Sequence, residues 1–500
     1  MLPKPLGHAL QGATVANGAT ALFAGVLGLA DDRSDSVRLF GFALVMAGIL
    51  LMVRPFIPDS RFQRREAMAT VTLQWLLMVL LGAVPYLLSG TLDHFFDALY
   101  EATAGYTTTS STVITDVAEL SDAMQFWRAG TQWMGAFSAL VLLVVIFPRF
   151  GLADHGAGPD SVTRQGRELG STPGVAIGRI ALALGFLSLV LSVAYVVAGM
   201  GWRDGLFHGL TTSSTGGFST RNGSIAAFDS AAIEWVAIAG MVAAGASVVH
   251  VIRIARGALR SVWRSYELRA YLTLLTIGTI IGALTATDSA GFRSAVFAAS
   301  SALSTTGLRA SDLSTWEPVG IVVLFALMTI GSMGGSPGGG IRIVRMASLL
   351  AALRLELQRN LYPRLVAVPK LGRIAVPDAA IGQAAGQIFL TAAVIMVALL
   401  GVTSFGAGML DGLSVTVSVF ANSGPAVGAM EPGLGTGPSV SSFDNALVYA
   451  PEARVVLIAT MFIGRLAVHP VLVTLGVATH ETRHLLRHAS KSKGALWRRR

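Results

Sequence analysis

Alternation of apolar and polar positions divides the chain into ten apolar stretches. They lie at about residues 13–30, 36–56, 67–90, 125–147, 175–200, 232–252, 270–287, 317–349, 380–406 and 453–478, and the eighth is interrupted. Most reach the roughly 20 residues a helix needs to cross a hydrocarbon core of about 30 Å. Between them lie four half-apolar segments too short to span. Each ends in Ser, Thr or Asn followed by a small residue: YTTTSSTV at 106–113, TTSSTGGFST at 211–220, SALSTTGLRAS at 301–311 and SVFANSGPAVG at 418–428. Aligning them on that residue brings Ser110, Gly217, Gly307 and Gly424 into register.

This recurrence predicts one unit of roughly a hundred residues used four times, since internal repetition outweighs any single motif. Each unit reads as an outer helix, a re-entrant half-helix, a loop and an inner helix. The half-helices are expected over 96–108, 206–214, 292–305 and 411–421, and the unbroken inner helices over 125–147, 232–252 and 454–478. The expected fold is therefore an all-α polytopic membrane protein. It has four tandem helix, pore-loop, helix repeats in pseudo-fourfold arrangement and two extra N-terminal transmembrane helices. The divisions fall at 1–65 for the extension, 66–172, 173–264, 265–373 and 374–480 for the repeats, and 481–500 for a basic cytoplasmic tail. Unpaired backbone survives at membrane depth only where it is packed in protein or lines water. Four such loops around one axis would present carbonyl oxygens that can replace the water shell of a small cation.

Composition sharpens this picture. The 500 residues are 53% hydrophobic and 13% charged, with mean hydropathy +0.63, which no single soluble core accommodates. With no cysteine, disulfides, thiolate metal sites and Cys nucleophiles are excluded. The net charge of +9 reports topology rather than nucleic-acid binding. With the N-terminus inside, most Lys and Arg fall on the cytoplasmic side, as the positive-inside rule requires. Both termini are then cytoplasmic, and the basic surface suits anionic lipid. Most acids fall outside, among them Asp93, Asp97, Glu101, Asp116, Glu119, Asp122, Asp312, Glu317 and Glu431, and read as a negative mouth or a solvated loop surface. Residues 151–172 read as a cytoplasmic linker. Arg253, Arg256, Arg260 and Arg264 are spaced for one helical face.

Two features interrupt the apolar pattern. In the third repeat GSMGGSPGGGIR, residues 331–342, carries Gly331, Gly334, Gly335, Ser336, Pro337, Gly338, Gly339 and Gly340, which no helix tolerates. It reads as a loop obstructing the pathway, or as a cytoplasmic turn. A phosphate-binding loop is excluded because Ile343 follows Arg342 where Ser or Thr is needed. In the last helix Arg465 lies mid-span, where a charge must face water or a partner. It reads as a barrier charge or a partner for the glycine-loop carbonyls, or as a structural tie between helices; His469 reads as a packing residue.

Together the four loops, the GSPGGGIR break and the IGR of the last helix resemble the Trk/Ktr/HKT superfamily of potassium and sodium translocating subunits, closest to its bacterial TrkH branch. The resemblance covers about residues 66–480. It implies a pore subunit of the bacterial inner membrane that takes up K+ or Na+, without a covalently bound cofactor. It also implies a homodimer and a cytoplasmic TrkA-like ring of nucleotide-binding regulatory subunits. Carried over by position, the filter that holds K+ or Na+ comprises Thr108, Thr109 and Ser110; Thr215, Gly216 and Gly217; Thr305, Thr306 and Gly307; and Asn422, Ser423 and Gly424. The gate comprises the 331–340 loop and Arg465. The family usually has Gly where Ser110 stands, and in the plant HKT branch a Ser there accompanies sodium preference. Arg342 stands where Lys is common. A proton-coupled symporter would need a protonatable carboxylate within the bilayer. A membrane enzyme would need a buried nucleophile or metal ligands, whereas His208, His250 and His469 are scattered over separate segments.

Overall fold

The computed structural model of the chain describes residues 3–31, 33–57, 63–146, 169–170, 172–286, 291–311, 313, 316–372, 374–424 and 445–466. Most of the 151–172 linker, the basic tail, His469, Asp312 and Glu431 lie outside the described residues. In lipid each backbone polar group needs a partner inside the protein, so apolar segments become helices. Two of these, α1 (Lys4–Gly28) and α2 (Arg33–Val53), form the N-terminal extension, and α1 packs on α2, on the first outer helix and on the first inner helix.

The outer helices are α3 (Arg64–Gly82), continued after a break by α4 (Val84–Ser89), then α7 (Pro173–Val197), α12 (Tyr266–Thr285) and α16 (Asp378–Ser404). The half-helices are α5 (Phe95–Thr107), α8 (Trp202–Ser213), α13 (Phe292–Ser304) and α17 (Met409–Phe420). The inner elements are α6 (Asp122–Val141), α9 (Ala231–Gly245) with α10 (Val248–Ala255), α14 (Pro318–Ile330) followed beyond the glycine run by α15 (Ile343–Leu361), and α18 (Pro451–Leu466). A short helix α11 (Leu259–Trp263) and a hairpin of β1 (Lys370–Leu371) and β2 (Ile374–Ala375) connect units. Seven described helices are long and apolar enough to span a membrane, or eight with the bent α9–α10 pair. Along α7, Leu182, Phe186, Leu189, Val193 and Val197 are exposed at three- and four-residue spacing, while Ile180, Leu184, Leu191 and Tyr195 are buried. One face of this helix thus meets lipid and the other the protein core.

The order of packing closes a ring. Half-helix α8 packs on inner helix α6 of the preceding unit, α13 on α9, α17 on α14, and α5 on α18 of the last unit. Ion pairs lace two of these seams: Asp97 on α5 with Arg454 on α18, and Glu234 on α9 with Arg293 on α13 at 2.6 Å.

Three expectations are corrected. The second inner helix, expected unbroken over 232–252, bends by 102° between α9 and α10. The backbone groups the bend frees are taken up by the glycine-rich segment: Met333 N donates to Gly245 O and Val248 N to Gly335 O. The arginine face does not form, because α10 ends at Ala255 and Gly257 takes φ 72° before α11 begins. A left-handed residue at that point redirects the chain and separates Arg253 from Arg260 and Arg264. Finally, the external acids are mostly committed. Glu101 is fully buried against Arg128, and Asp122 pairs with Arg203 at 2.7 Å. Among the described residues of that set, Asp93, Glu119 and Glu317 remain exposed.

Candidate functional site

The four half-helices end in the same way. The left-handed backbone falls on Thr108, Thr215, Thr305 and Asn422, with φ of 57°, 53°, 57° and 56°, each two residues before the aligned small residue. In every case that residue's N–H bonds three residues back, to Gly105, Thr212, Ala302 and Val419. The next N–H bonds five residues back: Thr109 to Ala104, Gly216 to Thr211, Thr306 to Ser301 and Ser423 to Ser418. This is the left-handed helix closure that normally uses glycine. A side chain there costs roughly 1–2 kcal/mol, and four repetitions of the strain mark a site whose surroundings enforce it. The closure turns the chain out of each half-helix at its C-terminal, electronegative end, where the macrodipole amounts to about half a charge and favours a cation.

Beyond the closures the loops converge. A side chain on Gly217 would collide with Thr306 O and stand 3.0 Å from Ser110 Cβ, and one on Gly424 would collide with the Ser110 backbone and hydroxyl. Gly217, Gly307 and Gly424 take φ of 72°, 79° and 100°. Ser110 does not share that positive φ; its hydroxyl donates to Ser423 O at 2.8 Å and reaches Gly307 O at 3.4 Å. Ser110, Gly217, Thr306, Gly307, Ser423 and Gly424 of the four loops therefore meet, with Ser110 bonded to carbonyls of the third and fourth.

The glycine-rich segment lies against these loops and is no exposed turn. Helix α14 has 13 residues, about 20 Å at 1.5 Å per residue, so the chain leaves it short of a full crossing. Residues 331–339 are buried. Gly339 N donates to Thr305 Oγ1 at 2.8 Å, and a side chain on Gly339 would collide with Ala421 O. Gly334 N donates to Glu267 on α12, and Arg465, 9% exposed, donates through Nη1 to Pro337 O at 2.6 Å. Of the functional alternatives for Arg465, the bond to a glycine-loop carbonyl is the one with direct geometry.

Sequence reading missed the support behind the loops. Glu101 accepts from Arg128 Nε at 2.9 Å, from the Thr112 hydroxyl at 2.8 Å and from Val113 N at 3.0 Å. Gln132 bonds Gly216 O and Phe218 N, and His208 is buried on Asp204 O and Ser219 Oγ. The available signal was polar residues on otherwise apolar helices: Glu101 within a half-helix, and Arg128 and Gln132 one turn apart on an inner helix.

The chain is similar to known proteins in sequence and in fold. The family model described as "TrkH: Cation transport protein" matches residues 36–483. The Trk system potassium uptake protein TrkH of Halomonas elongata is 31% identical over 427 residues, covering 83% of this chain and 86% of that protein. Its Escherichia coli K12 counterpart is 28% identical over 425 residues, covering 83% and 86%. The crystal structure of the potassium transporter TrkH from Vibrio parahaemolyticus superposes with TM-score 0.81 at 25% identity, covering 95% of this chain and 99% of that one. With a helical, multi-pass fold, four converging loops and a family match over most of its length, the chain belongs to the TrkH family of cation transport proteins.

Proposed function

We propose that this protein is the pore-forming subunit of a monovalent cation uptake system, with K+ as its main substrate. The repeats 66–172, 173–264, 265–373 and 374–480 each contribute one wall and one loop. The residues 108–110, 215–217, 305–307 and 422–424 act as the filter, where carbonyl oxygens replace the hydration shell of the ion. The 331–340 loop is the gate, held shut beneath the filter by Arg465, Glu267 and Thr305. The observation that carries this reading is the fourfold repetition of one strained helix closure, with the glycine loop packed on two of the four. Relatives named as potassium uptake proteins support K+.

Ser110 qualifies the selectivity: its hydroxyl occupies two carbonyls that a glycine would leave to the ion. Appreciable Na+ passage is part of the proposal. The protein sits in the inner membrane with both termini cytoplasmic, works as a homodimer, and is controlled by a TrkA-like ring acting on the gate. A proton-shuttling role for Glu101 is disfavoured by its commitment to Arg128 and two loop donors. The test is radiotracer uptake of K+ and of Na+ by purified protein in liposomes, with no proton gradient. Saturable uptake of K+ ahead of Na+ supports the reading, and uptake that requires an imposed proton gradient transfers the assignment to a symporter.

A further inference from the structure

Gln132 belongs to no loop. It lies on α6, fully buried, and its side-chain amide bridges two backbone groups of the second loop. Its Nε2 donates to Gly216 O at 2.8 Å, and its Oε1 accepts from Phe218 N at 3.2 Å. These two groups flank Gly217. One turn earlier on the same helix face, Arg128 donates to Ser219 O at 3.3 Å and covers the Phe218 ring at 4.2 Å, while its Nε holds Glu101.

The second loop differs from the other three at the residue before the aligned position. Thr109, Thr306 and Ser423 carry a hydroxyl there, and the second loop has Gly216. Thr109 Oγ1 pairs with Thr107 Oγ1, and Thr306 Oγ1 with Ser304 Oγ, which ties those loops to their own half-helices. Gly216 has no side chain to do this. A Cβ on Gly216 would collide with the Gln132 amide, so the amide occupies the space that the missing side chain leaves.

We propose that Gln132 is a positioning residue for ion discrimination, orienting the peptide units on either side of Gly217. This rests on the pore reading above. The bond from Nε2 aims the Gly216 carbonyl at α6 and away from the axis, leaving its neighbours Thr215 and Gly217 to supply ion-facing oxygens. Two consecutive glycines have little rotational preference of their own. Without Gln132 the Gly216–Gly217 peptide is held only by the long bond from Gly217 N to Thr211 O at 3.4 Å, and the number and direction of carbonyls offered to the ion are fixed less firmly. Selectivity between alkali ions depends on that number and direction.

The experiment measures K+ and Na+ radiotracer uptake, under identical conditions, by full-length protein in liposomes. Wild type is compared with Gln132→Met, of similar volume and without either bond, and with Gln132→Leu, a smaller apolar side chain that likewise makes neither bond. Neither variant introduces a charge, so the ratio of the two ions reports coordination. The expected result is a fall in the K+ to Na+ uptake ratio by about fivefold or more in both variants, the factor one neutral hydrogen bond supplies. Should the methionine variant not yield monodisperse protein, the leucine variant decides. A selective wild type whose folded variants keep its ratio, while only uptake rate or unfolding temperature changes, overturns this inference alone. A wild type that takes up both ions equally also overturns this inference and leaves the pore reading standing, whereas one that takes up neither ion overturns both.

Discussion

The bond between Arg465 and the Pro337 carbonyl offers the most direct test of the gate. Arg465 is almost fully buried, and its Nη1 donates at 2.6 Å to a carbonyl in the middle of the 331–340 loop. A hydrogen bond from a charged donor contributes about 1.5–3 kcal/mol. If the bond exists only while the loop is closed, Arg465→Ala removes that amount from the closed state. The open to closed ratio then rises roughly 10- to 100-fold, because each 1.4 kcal/mol is a factor of ten. Loss of a positive charge beside the pathway adds in the same direction. The assay is basal K+ uptake by the purified pore subunit in liposomes, normalised to monodisperse protein. Arg465→Gln separates the contributions, since it removes the charge but can still donate a neutral bond. A rise as large as in Arg465→Ala assigns the effect to charge, and an intermediate rise assigns part of it to the bond. Unchanged or lower uptake in folded Arg465→Ala protein would refute the reasoning, and the arginine would then be a tie between helices.

Three further outcomes are expected. Ser110→Gly removes a hydroxyl bonded to Ser423 O, worth about 1 kcal/mol, and returns that carbonyl to the ion; the K+ to Na+ uptake ratio should rise about fivefold. An unchanged ratio leaves Ser110 without a role in selectivity. Glu267→Ala frees the Gly334 amide from α12 and should raise basal uptake, whereas a tightly closed variant would show that this contact does not hold the gate. Glu101→Gln leaves Arg128, 1% exposed, without its counter-ion and should cost about 3–5 kcal/mol, read as a lower unfolding temperature in detergent; an unchanged transition would mean that the pair contributes no net stability.

The helices and the loop register were legible because both depend on local composition. An apolar run of about twenty residues has one stable form in lipid, and the recurring Ser, Thr or Asn before a small residue marks each closure. Half-helix ends came within one residue of expectation: α5 and α13 stop at Thr107 and Ser304, just before the left-handed Thr108 and Thr305. The bend between α9 and α10 was not legible, since nothing in Gly245 to Val248 alone shows that a distant glycine run will donate to Gly245 O and accept from Val248 N. Glu101 looked like a surface acid for a related reason: its partner Arg128 lies 27 residues away on another helix.

By itself the sequence determined that this chain spans a membrane many times, that it repeats one unit four times, and about where each half-helix ends. Hydrophobicity and main-chain geometry act over a few neighbouring residues, so the order of residues carries that information. Only the tertiary structure decided that the ring closes through α5 on α18, that the glycine run lies against the third and fourth loops, that Glu101 and Gln132 hold the first and second loops, and that Arg465 holds the glycine run. Those contacts join residues up to 357 positions apart, and the polar groups they bury are satisfied by partners that a distant part of the chain had to supply.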